Sequence, residues 1–346
     1  MNPTETGVTP VRPPENLFAF EPNAERIHFL SQRMRSGLAD SLRYIADEAG
    51  DQLDLPAGQL DRFLVQLEAS AISPQAFCFY HDAVIAIEED DLEEASRQLT
   101  ELIHLPAHPG GPVIADLPDA KRDPAGRRYA RFIETDATAS FEVFPPSAEA
   151  SASCRAQIKD AFALMDQGDP ELAAEIRALV LEIILAAGTE HPKAMTFDGA
   201  SAFMLWGGIM INANRRDGAM GMVQMLAHES AHDLLFGLCA TEPLVENAPG
   251  ELFPSPLRID PRPMEGIYHA TFVTARMHRA VKRLIESGIL STALLEKARQ
   301  DLAENASLFA RGIETVRRHG KLTPLGKALM EGASDYMTAT SYSTAP

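Results

Sequence analysis

The stretch MLAHESAHDLLFG, residues 225–237, sets His228 and His232 four positions apart with Glu229 beside the first. An α-helix turns once every 3.6 residues, so positions i and i+4 stack on one face. Two imidazoles so placed can share one metal ion. Glu229, one position round, reaches the surroundings of that ion or a water bound to it. The flanks are apolar: Met222, Val223, Met225 and Leu226 on one side, Leu234, Leu235 and Phe236 on the other. Histidines in such company need partners for their ring nitrogens, and a metal supplies one. The competing reading is an amphipathic helix carrying two incidental histidines.

A third ligand has to come from elsewhere. Leu235 and Leu238 occupy the positions where the extended motif H-E-x-x-H-x-x-G-x-x-H needs glycine and histidine, which excludes that variant. In zincins, the helix after the motif commonly delivers the third ligand. Here that helix reads as MEGIYHATFVTARMHRAVKRLIESG, with Glu265 and His269 four apart on one face. His269 is the preferred ligand, with Glu265 and Glu246 as alternatives. His278 is set aside because MHRAVKR reads as a basic, solvated end. Asp233 directly follows the second histidine, where zinc peptidases of this type carry an uncharged residue. It reads either as a carboxylate supporting the ligands or as one facing water.

Outward from the motif, helix dominates. Residues 24–104 carry apolar residues at threes and fours, as in Ile27, Leu30, Met34, Leu38, Leu42 and Ile45. Between 105 and 147 the chain changes character: it contains PAHPGGPVIADLPDA, then RRYARFIET and ASFEVFPP, which read as short strands between turns. DPELAAEIRALVLEIILAAG, residues 169–188, reads as one helix, capped by Asp169, opened by Pro170 and closed by Gly188. KAMTFDGAS and AFMLWGGIMINAN lean toward strand just ahead of the motif, and a proline-rich loop and three more helices follow it. The expected fold is α+β and predominantly α-helical, with a zincin-like metal-binding core in which the H-E-x-x-H helix lies beside a small sheet. The expected division is a disordered N-terminus at 1–16, a helical region at 17–150 and a catalytic domain at 151–340. The helical region is a candidate for binding substrate or a leader peptide.

With 31 Lys and Arg against 49 Asp and Glu, the chain carries a formal charge of −18. That argues against nucleic acid as a partner, because phosphate binding needs surplus cations. Cys78, Cys154 and Cys239 lack the C-x-x-C spacing of a zinc or redox site and fit a reducing compartment. No secretion signal opens the chain, and no apolar run approaches the roughly 20 residues of a membrane span. The expectation is a soluble cytoplasmic protein without a membrane partner.

The loop PSPLRIDPRP, residues 254–263, sets Arg258, Asp260 and Arg262 between prolines that stiffen the backbone. Two guanidiniums on such a loop can grip a carboxylate in bidentate fashion. An Arg–Asp–Arg knot that merely pins the loop is the alternative. Taken together, SAFMLWGGIMINAN, LAHESAHDLLFGL and SPLRIDPRPMEGIYHATFVTARM resemble the H-E-x-x-H-containing peptide-modification proteins of ribosomal peptide natural-product pathways. The resemblance spans roughly residues 170–290 and rests on H-E-x-x-H together with R-x-D-P-R-P-x-x-G.

That resemblance implies an Fe(II)- and 2-oxoglutarate-dependent oxygenase that hydroxylates a side-chain β-carbon of a precursor peptide. It implies His228 and His232 as iron ligands, His269 as the third, and Arg258 and Arg262 as the 2-oxoglutarate clamp. Glu229 would then orient ligands, hold a water or contact substrate. Asn212 and Asn214 are placed near the substrate by the expectation that the peptide aligns along FMLWGGIMINAN by strand addition. Two other functions compete. One is a zinc metallopeptidase with Glu229 as general base; the other is a metal-free protein that binds a peptide in the same cleft.

Overall fold

The computed structural model describes residues 13–50, 52–55, 58–133, 142–188, 197–255 and 260–343. Four helices come first: α1 (Ala24–Ala49), α2 (Gln59–Ala69), α3 (Gln75–Glu88) and α4 (Leu92–Ile103). The Asn23 side chain caps α1 by accepting from the backbone N–H groups of Glu25 and Arg26. The expected apolar stripe is buried from Ile27 to Leu42. Its two ends serve different cores. Leu38 and Leu42 pack with Phe63, Leu67, Phe79 and Leu99 of α2–α4. Ile27, Leu30 and Met34 join the core under the H-E-x-x-H helix. Of the expected disordered N-terminus, residues 1–12 lie outside the described residues; Leu17 and Phe20, just beyond it, are buried.

The chain then builds β1 (Val113–Asp116), α5 (Pro124–Ile133), β2 (Val143–Phe144), α6 (Ala148–Gly168), α7 (Pro170–Leu179), β3 (Glu182–Gly188), β4 (Gly199–Ser201) and β5 (Gly208–Asn212). The strand order is β1-β3-β5-β4, with β2 also paired to β3. Strands β1, β3 and β5 are parallel, and β4 runs antiparallel to β5. Since β1 and β2 precede residue 150, the sheet crosses the expected boundary between helical region and catalytic domain.

The single helix expected over 169–188 stops at Leu179, where Val180 turns extended, and the rest is the central strand β3. Asp169 and Pro170 do open the helix, but Gly188 ends a strand. An apolar run reads alike as buried helix or as a strand covered on both faces, and here the second holds. Ile183 and Leu185 face the core of α6, α7 and α8, while Ile184 and Ala186 face Cys78, Tyr129 and Met210. RRYARFI is helical, not extended. The Asp123 carboxylate accepts from the Ala125 N–H at 2.8 Å and Pro124 starts the first turn, so local capping overrides the β-leaning Tyr, Phe and Ile.

Strand addition along FMLWGGIMINAN is also overturned. Phe203–Leu205 is a short 3-10 turn, and β5 is hydrogen-bonded to β3 on one side and β4 on the other. Among the described residues, the outer strand on that side is β4.

The remaining elements are α8 (Gly218–Leu238), the hairpin strands β6 (Leu252–Phe253) and β7 (Arg262–Pro263), α9 (Met264–Ser287), α10 (Thr292–His319) and α11 (Pro324–Ser343). Helix α9 is fixed by buried charge. Glu175 of α7 accepts from Arg26 Nε at 3.0 Å and from the Asn23 N–H at 2.7 Å, and pairs with Arg276 of α9. Arg276 also donates to the Phe20 carbonyl, and Arg279 binds Asp169 and Glu21. Within MHRAVKR, expected to be a solvated end, His278 and Arg279 are therefore buried while Arg283 is exposed, and His278 Nδ1 lies 3.0 Å from the Tyr336 hydroxyl. Among the described residues no helix is long and apolar enough to cross a membrane.

Burial alone would raise the Glu175 pKa, but Arg276 and Arg26 outweigh it and hold the group below its ordinary value. Removing the carboxylate strands two buried guanidiniums. Glu175→Ala should cost about 3–5 kcal/mol in urea denaturation. A loss below about 1 kcal/mol, the scale of an exposed pair, would contradict this role.

Candidate functional site

Helix α8 is wedged between the sheet and α9 and is buried along nearly its whole length. Two glycines permit the close packing. A Cβ on Gly199 of β4 would sit 2.5 Å from both Glu229 Oε1 and Met225 Sδ, so the glycine lets β4 lie against the motif without displacing either side chain. A Cβ on Gly237 would meet Trp206 Nε1 at 3.0 Å, and that indole donates to the Asp233 carbonyl at 2.9 Å.

The i, i+4 expectation holds. His228 Nε2 and His232 Nε2 are 3.2 Å apart, with both rings half-buried. Metal–imidazole bonds are about 2.0–2.1 Å long, so one ion can span two nitrogens at such a separation. His269 of α9 is buried and meets His232 as well, but through the other nitrogen: His232 Nδ1 to His269 Nδ1 is 3.1 Å. The two rings stack at an interplanar angle of 17°. His269 Nε2 is buried without a hydrogen-bond partner. His228 Nδ1 lies 3.3 Å from Met277 Sδ, also on α9. Among the described residues no group of three or more His, Cys, Asp or Glu side chains is arranged to hold a metal ion.

The donor chemistry of the histidine pair suits a metal. Burial lowers His228 and His269 to about 4, and burial followed by the two neighbouring imidazoles lowers His232 further. Near neutral pH all three rings are uncharged, the form that ligates.

The carboxylates behave differently. Glu229 is 3% exposed, and its Oε2 accepts from the Ser201 hydroxyl of β4 at 2.9 Å. Burial pushes its pKa up to about 8, against the lowering effect of that hydrogen bond. Asp233 does not face water. It is fully buried, and neither carboxylate oxygen makes a hydrogen bond of ordinary geometry. Burial first, then Glu229, pushes it well up, with partial relief from the Gly207 N–H. One proton on each carboxyl removes the cost of a buried charge.

Of the other expected residues, Glu265 and Glu246 are exposed. Arg258 lies outside the described residues, and Arg262 pairs with Asp260 at 2.7 Å. Asn212 ends β5, donating to the Phe197 carbonyl at 2.9 Å and accepting from the Asn214 N–H at 3.0 Å, so it shapes the turn into α8. Asn214 is exposed. Three features escape the sequence reading: Met277, Ser201 and the burial of Asp233. Met277 alone had a signal, since it follows His269 by eight residues and so returns to the same helical face.

The low histidine pKa values give a pH signature. The unfolded chain takes up protons near pH 6.5 and the folded chain only near 4. This contribution to stability is therefore full above about 6.5 and shrinks as pH falls toward 4. In the metal-free protein, the His228 and His269 ring resonances should titrate near 4 by NMR. Titration at the ordinary 6.5 would contradict their placement. Compared with known proteins, the chain matches no family model, and no curated protein matches it significantly.

Proposed function

We propose that this chain is a mononuclear metal enzyme that hydroxylates a side-chain β-carbon of a ribosomally made precursor peptide in the cytoplasm, using Fe(II), 2-oxoglutarate and O₂. The observation that carries the metal is the pair of uncharged nitrogens on His228 and His232, 3.2 Å apart on one helical face. Bound iron would supply the oxidative decarboxylation of 2-oxoglutarate to succinate and CO₂, with the second oxygen atom of O₂ entering the peptide C–H bond.

The residues of the chain supply the setting. His228 and His232 hold the ion. Phe236 is tilted on His269 at a centroid distance of 5.3 Å and meets Phe203 edge-on, which gives the site an apolar wall. Such a wall limits water around a reactive centre. Arg262 is the described candidate for a 2-oxoglutarate carboxylate, exchanging Asp260 for it, with Arg258 as its expected companion. The peptide has the edge of β4 to lie along, next to the motif helix.

Glu229 favours oxidation over hydrolysis. A water-activating base has to reach a water at the metal, whereas this carboxylate is buried, bonded to Ser201 and pressed against Gly199. The zinc-peptidase reading keeps one point in its favour: an outer antiparallel strand beside an H-E-x-x-H helix is a zincin-like arrangement.

Protein purified without oxygen should retain iron and develop a visible charge-transfer band when 2-oxoglutarate is added. It should also release succinate with a peptide substrate. Tightly held zinc, with peptide cleavage that disappears in Glu229→Gln, would sink the oxygenase reading and support the peptidase.

A further inference from the structure

We infer that α9 holds both metal-binding histidines from behind, and that His269 is a positioning residue for His232 and not a third ligand. The inference rests on the metal reading above. It follows from which atoms meet. His232 has two ring nitrogens, and each faces a different histidine: Nε2 faces His228 Nε2 at 3.2 Å, and Nδ1 faces His269 Nδ1 at 3.1 Å.

A neutral imidazole carries one proton. For His228 and His232 to offer Nε2 to one ion, both protons must sit on Nδ1. The His232 Nδ1–H then has its acceptor in His269 Nδ1, and the His228 Nδ1–H has the Met277 thioether at 3.3 Å. Both acceptors come from α9, eight residues apart on one face. This is the outer hydrogen bond that fixes the tautomer and ring orientation of a metal-binding histidine. An imidazole acceptor holds its donor more firmly than a thioether does, so His232 is the better anchored of the two. His269 must then carry its own proton on Nε2, the buried atom with no partner.

The tautomers are readable in the full-length chain with ¹⁵N-labelled histidine and Zn(II) as a diamagnetic probe. In the zinc-loaded protein, His269 Nε2 should be protonated. A trans-hydrogen-bond N–N coupling should link His232 Nδ1 to His269 Nδ1, with none between the two Nε2 atoms. Loss of the Nδ1–Nδ1 coupling, or a metal-shifted, unprotonated His269 nitrogen, would overturn the inference while leaving the metal reading intact. Failure of the wild-type chain to bind Zn(II) would overturn both.

Variants give a second readout. Asparagine places a carbonyl oxygen near the position of Nδ1, so His269→Asn should bind Zn(II) within a few-fold of wild type. His269→Leu should lose about 10–100-fold, and Met277→Leu less. Equal loss in His269→Asn and His269→Leu, with both folded by circular dichroism, would make His269 a ligand.

Discussion

A helix buried on nearly every side has to satisfy each polar side chain it carries, and α8 carries many. Gln224 is met from α10 by Asp301 and Asn305, both at 3.0 Å. Ser201 of β4 meets Glu229, and α9 meets both histidines. Asp233 finds little, and protonation removes its charge. The partners on the sheet, α9 and α10 therefore need fixed positions, because an unmet polar group at such depth costs about 1–3 kcal/mol.

Helix α9 does two jobs at adjacent residues. Arg276 and Arg279 lock it to α7 and to the segment ahead of α1 through Glu175, Asp169 and Glu21. His269 and Met277 turn toward α8 and meet the ring nitrogens of the motif. Charge pairs of this kind are weak contributors to net stability but leave few alternative packings once formed. Rigid placement is what the proposed metal-binding pair would require, since one ion at about 2.0–2.1 Å from each nitrogen leaves little room for the rings to separate.

How far the sequence reveals this depends on whether each signal is local. The α1 stripe and the i, i+4 histidines follow from helical period alone. At Leu179 the run LVLEIILAAG has no period to distinguish helix from strand, and its conformation depends on what covers each face. RRYARFI carries aromatic and branched residues that lean toward strand, but the decisive group is Asp123 just outside it. His269 is legible as a partner of the motif because it is a histidine on the next helix. Which of its atoms meets His232 depends on the side-by-side packing of α8 and α9. Ser201 becomes a partner of Glu229 through the close approach of β4 to α8, to which the missing side chain of Gly199 contributes. The burial of Arg276 and Arg279 is illegible for a related reason: their carboxylates lie about a hundred or more residues away in the chain.

In the proposed site, one metal ion binds to two histidines of α8, each oriented from α9. X-ray absorption at the metal edge of the loaded protein counts imidazole ligands directly. Two imidazoles are predicted; three would make His269 a ligand, and none would remove the metal from this helix altogether.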